Sequence, residues 1–121
     1  MSHLLTRICI TIDGQALEGE LNASPSAEHF ASLLPLTLTL NDYAHKEKVS
    51  RLPKRLNSGN SPAGHQPSAG DITFYAPWGN LAIFYEDFEY AAGLVKLGRI
   101  NGPLDAFKSS STLEARIEHA E

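Results

Sequence analysis

The chain of 121 residues is 42% hydrophobic and 20% charged, which argues against wholesale disorder and against a membrane protein, and at this length suits one core and one domain, residues 1–121. Ten Lys and Arg against fourteen Asp and Glu leave a net charge of −4, a sign that argues against nucleic acid as the main partner. A single cysteine excludes an internal disulfide framework and a multi-cysteine zinc site.

The opening Met1-Ser2-His3-Leu4-Leu5-Thr6-Arg7 has neither the basic leader nor the apolar stretch of a secretion signal. The longest apolar run, residues 81–85, is strand-sized and far below the ~20 residues that span a bilayer. With Cys9 compatible with a reducing compartment, the expectation is a cytoplasmic protein with no membrane partner.

Leu4, Thr6, Ile8, Ile10 and Ile12 share one parity and Arg7, Cys9, Thr11 and Asp13 the other, the alternation of a half-buried strand. Asp13-Gly14 supplies positive φ for a tight turn, and Leu17 and Leu21 against Glu18 and Glu20 make the return strand. A hairpin over residues 4–21 follows. Ser24-Pro25 then reads as a helix start, with Ser as the cap and Pro in the first turn. Ala27, Phe30, Ala31 and Leu34 form one apolar stripe, and Pro35 ends the helix near Leu33.

Leu36, Leu38 and Leu40 alternate with Thr37, Thr39 and Asn41 in a clear strand pattern. Residues 46–55 change character: Lys46, Lys48, Arg51, Lys54 and Arg55 stand with one acid, Glu47, a local charge of +4 against −8 for the rest of the chain. Residues 57–70 are rich in Ser, Asn, Gly and Pro with no large apolar side chain, which predicts a long loop. Strands are expected at 72–75 and 81–85, joined through Ala76-Pro77-Trp78-Gly79-Asn80. Because 81–85 is apolar on both parities, both of its faces should be covered. Glu86, Asp87 and Glu89 form an acidic loop. A further strand at 94–100 is interrupted by Gly98, a candidate bulge; residues 103–107 suit a helical turn, and Leu113, Ala115 and Ile117 mark a last strand.

Seven or eight short strands, one short helix and few helical crossovers predict a mainly β, closed or nearly closed antiparallel barrel. The block Gly70-Asp71-Ile72-Thr73-Phe74-Tyr75-Ala76-Pro77-Trp78-Gly79-Asn80-Leu81-Ala82-Ile83-Phe84-Tyr85, followed by Gly93-Leu94-Val95-Lys96-Leu97-Gly98-Arg99-Ile100, resembles the small bacterial and archaeal cyclophilin-like proteins. Leu33-Leu34-Pro35-Leu36-Thr37-Leu38 and Leu52-Pro53 fit the same family. The resemblance covers nearly the whole chain and implies a cyclophilin-like barrel with a short capping helix. It carries no activity across: the Phe-His-Arg type motif of cyclophilin prolyl isomerases has no counterpart, since His3, His29, His45, His65 and His119 all lack an adjacent Arg.

Tyr75, Trp78, Tyr85 and Tyr90, with Asn80 nearby, are the first candidate site, for a peptide or small-molecule ligand; the alternative is that Trp78 plugs one end of the barrel. The basic segment with Arg51 either meets an anionic ligand or is a solvated charge run. Glu86, Asp87 and Glu89 offer paired carboxylates or a solvent-facing loop. Cys9 is a small strand residue or, in an electropositive setting, a nucleophile. The scattered histidines imply no metal site, and no motif implies a cofactor. Three functions stand open: a binding module with an aromatic-lined groove and ligand residues Tyr75, Trp78, Asn80, Tyr85 and Arg51; a prolyl isomerase using Arg51 or Arg99; and a protein-interaction domain using a strand edge or the basic loop. The sequence assigns neither catalytic residues nor an oligomeric state.

Overall fold

The computed structural model describes residues 6–57, 63–109 and 111–120. The first hairpin pairs β1 (Thr6–Ile12) with β2 (Gln15–Leu21) around Asp13 and Gly14, both at positive φ; the expected start at Leu4 lies outside the described residues. Helix α1 (Pro25–Ser32) follows, with the Ser24 hydroxyl accepting the Ala27 amide at 3.2 Å. Its Ala27 and Phe30 are buried in the core, while Ala31 and Leu34 pack at its margin.

The remaining long strands are β3 (Leu36–Tyr43), β4 (Glu47–Arg51), β6 (Asp71–Tyr75), β7 (Asn80–Phe84), β9 (Leu94–Asn101) and β10 (Thr112–His119). Two short strands, β5 (Gly64–His65) and β8 (Ala91–Ala92), pair as a side ribbon. A 3-10 turn (Asp105–Lys108) buries Phe107. The eight long strands close in the order β1-β10-β3-β4-β7-β6-β9-β2, every neighbouring pair antiparallel. The expected barrel is therefore the fold, and its closure leaves none of those eight strands with an open edge.

Inward-facing Ile8, Ile10, Leu40, Phe74, Leu81 and Ile83 pack with the helix's Phe30 in the main core. A second apolar cluster lies on the opposite face of the wall: Ala82, Phe84 and Leu94, with Val49, Tyr75, Phe88 and Ala91 against them. The two-sided apolarity of 81–85 thus has its cause, because Leu81, Ile83 and Tyr85 face the interior and Ala82 and Phe84 face the outer cluster.

Gly98 does mark a bulge. The β6–β9 register runs Thr73 to Lys96 but Ile72 to Gly98, so β9 carries one extra residue. The insertion changes the inward parity, which is how Val95, Leu97 and Ile100 all reach the core.

Strand β4 falls within the basic segment, where the charges hide a strand. Its side chains are not a uniformly solvated run: Lys48 is 1% exposed and Glu47 8%, and Leu52 just beyond is in the core. Arg51 and Lys54 are exposed, and Arg55 is exposed but donates to the Ala76 carbonyl. Of the expected loop at 57–70, residues 58–62 lie outside the described residues; beyond them Pro67 is buried, and Asp71 accepts the Ser68 amide at 2.9 Å and lies 2.8 Å from His65 Nε2.

Candidate functional site

The hairpin between β6 and β7 turns tightly: Gly79 sits at φ 69°, and its amide and that of Trp78 both donate to the Tyr75 carbonyl, at 2.9 and 3.2 Å. This geometry leaves the Trp78 indole standing off the barrel, 54% exposed. Two rings meet it nearly at right angles. Tyr75 lies 5.4 Å away, centroid to centroid, at 80°, and Tyr43, from the end of β3, lies 6.0 Å away at 84°. Such edge-to-face contacts are the favoured aromatic arrangement. They make a corner of three rings rather than a stack.

That corner is one wall of a pocket of about 210 Å³ on the outside of the barrel. Val49, Ala82, Phe84 and Leu94 contribute its apolar face from β4, β7 and β9, and Phe88 from the loop after β7 and Ala91 from β8 close it. Its polar side chains besides the tyrosine hydroxyls and the Trp78 indole N–H are Asn80 and Glu47. The Glu47 carboxyl has no hydrogen bond or ion pair among the described residues, and burial, then the nearby charge of Asp42, push its pKa up to about 7. A carboxyl held this way in a cleft is a feature of functional sites.

Three of the five residues singled out from the sequence, Tyr75, Trp78 and Asn80, therefore share one pocket. Arg51 lies opposite Asn80 in the β4–β7 ladder but is not among the lining residues. Tyr85 faces the other way. It is 8% exposed, packs in the main core, and its hydroxyl donates to Asp42 Oδ1, which also takes Lys48 Nζ at 3.2 Å. Lys48 Nζ lies 5.8 Å from the centroid of the Tyr85 ring. Burial alone raises the Asp42 pKa, but the Tyr85 hydroxyl, Lys48 and the His45 amide hold it below the ordinary carboxylate value. The same burial, with Asp42 as hydrogen-bond partner and neighbouring charge, pushes Tyr85 up to about 12. Tyr90 is exposed, away from the pocket, against Gly64.

The acidic loop divides in the same manner. Glu86 pairs with Lys108 at 3.8 Å, Asp87 accepts the Ala69 amide at 2.8 Å, and Glu89 is exposed. Cys9 is half-buried, with its Sγ 3.9 Å from Thr11 Oγ1. Among the described residues no group of three or more His, Cys, Asp or Glu is arranged to hold a metal, and no helix is long and apolar enough to cross a membrane.

Sequence reasoning missed Tyr43, Glu47, Val49 and Phe88. A signal did exist for part of this wall: the outward Ala82 and Phe84 needed an apolar cover, and Val49, Phe88 and Ala91 provide it. Glu47 carried no such signal, because one acid in a basic run reads as solvated until the strand parity is known.

A barrel of this order with a single short helix defines a class. The sequence profile of the cyclophilin-like family matches residues 10–118, and the chain belongs to that family. Among solved structures it is similar to the hypothetical protein AF2241 from Archaeoglobus fulgidus, with a TM-score of 0.74, 16% identity and 98% of each chain covered. At that identity the likeness concerns the fold. The search of curated proteins returned no match.

Proposed function

We propose that this cyclophilin-like protein is a binding module that takes a small molecule or one side chain of a peptide into the outer pocket. The observation that carries the reading is the exposed Trp78, held at right angles to Tyr75 and Tyr43 over an apolar hollow. At about 210 Å³ the hollow is below the ~300–1,000 Å³ of sites for drug-sized ligands, so it suits one compact group. Tyr75, Trp78 and Asn80 are its ligand residues, with Tyr43 and Glu47 added. The isomerase alternative has less support, because neither Arg51 nor Arg99 lines the pocket.

Trp78 is the single tryptophan of the chain, so its fluorescence reports on the site directly. Titration with a panel of compact apolar ligands and short peptides is expected to shift or quench that emission saturably. Trp78→Ala, followed by calorimetry, is expected to weaken binding about tenfold or more, as for a central aromatic anchor. A panel that binds Trp78→Ala and the parent protein equally would overturn the assignment.

A further inference from the structure

The chemistry of the pocket narrows what it takes. Its aromatic wall turns three rings toward one space, and π-faces attract cations electrostatically. Among the described residues Glu47 is the only carboxyl lining the pocket, and no Lys, Arg or His lines it. Glu47 as a residue is 8% exposed, and its carboxyl, which opens on the pocket, is without a hydrogen-bond or ion-pair partner among the described residues. The neighbouring Lys48 does not neutralise it: strand alternation sends Lys48 to the inside of the barrel, onto Asp42. A largely buried acid that shares a pocket with three aromatic rings is short of a cation.

We infer that the occupant of the pocket is an organic ammonium ion, its alkyl groups against Tyr43, Tyr75 and Trp78 and its charge toward Glu47. The inference rests on the binding reading above and names the ligand class of that same site. An anionic ligand would meet Glu47 with no cation to offset it. A neutral apolar ligand would leave the carboxyl buried and unpaired. An alkylated ammonium serves both the rings and the acid, and the hollow is the size for such a compact group.

Protonation adds a signature. The titratable groups that share the pocket with Glu47 are Tyr43, its register partner on β3, and Tyr75 from β6; Asp42 on β3 and Tyr85 beyond β7 interact with it electrostatically. A cation favours the ionised carboxylate, so its affinity rises as pH passes upward through about 7.

The test compares choline with its neutral isostere 3,3-dimethylbutanol by calorimetry on the intact chain, with Trp78 emission as the locator of binding. Choline is expected to bind about tenfold tighter, with the margin growing from pH 6 to pH 8. In Glu47→Gln the margin between choline and isostere is expected to shrink several-fold. A peptide carrying trimethyl-lysine distinguishes the sources of the ammonium: tighter binding than choline assigns a protein-borne group, weaker binding a free one. Equal affinities for choline and isostere in the parent protein would overturn the cation assignment and leave the binding module standing. If no ligand in the set bound, both readings would fall.

Discussion

Glu47 and Lys48 are sequence neighbours of opposite charge, and the period of a strand sends them to opposite sides of one wall. Each is buried, but only Lys48 has found its counter-charge, at Asp42. Glu47 therefore binds its proton more tightly in the folded protein than in the unfolded chain, where the ordinary value is 4.5. Its contribution to stability is full below pH 4.5 and is lost as pH rises through about 7. The loss is roughly 3 kcal/mol at 1.36 kcal/mol per pKa unit. Glu47→Gln is expected to flatten that slope and to be the more stable protein at pH 8, as read by urea denaturation across pH. Tyr85 makes the opposite case. Tyr85→Phe removes the hydroxyl donated to the Asp42 carboxylate and is expected to cost about 2 kcal/mol, while ligand affinity at the outer pocket stays unchanged. If the substitution weakened ligand binding as much as it weakened the fold, the division between interior and pocket would be wrong. No sequence pattern separates Tyr85 from Tyr75: both sit in apolar strand neighbourhoods, and only the barrel's inside and outside tell them apart.

At the level of elements, legibility followed the regularity of the alternation. The first hairpin, the capped helix and β3 are plain in the sequence because a turn dipeptide, a Ser-Pro start and a Leu-Thr repeat each have one physical meaning. Strand β4 was obscured because its inward position is a lysine, and an ion pair inside a barrel has no period-two signature. Strand β9 was legible only as interrupted. Its bulge depends on Gly98, where an added Cβ would lie 2.0 Å from the Glu20 carbonyl oxygen and 2.8 Å from Leu21 Cα. Both are backbone atoms of β2, so relief requires the β2–β9 seam to part. Gly98→Ala is expected to cost more than about 2 kcal/mol, seen as a lower denaturation midpoint and faster amide exchange along β2. A wild-type midpoint would mean that the bulge is not pinned by this contact.

For the molecule as a whole, the sequence sum of +4 in residues 46–55 overstates the local field. Lys48 is paired inside the barrel, so the exposed positive charge is carried by Arg51, Lys54 and Arg55, with Lys46 partly exposed. Strand addition by a partner is restricted too, since the eight barrel strands pair all the way round and, among the described residues, only the β5–β8 ribbon has edges. What the closed wall leaves accessible is its outer face beside β4 and β7, where the pocket lies. A site sealed within a packed barrel interior can be reached only when strands or end loops move aside, which makes association wait on the protein. Here the recess opens outward past Trp78, so entry of the proposed ligand needs no such movement, and differences in affinity between ligands are expected in how fast each leaves.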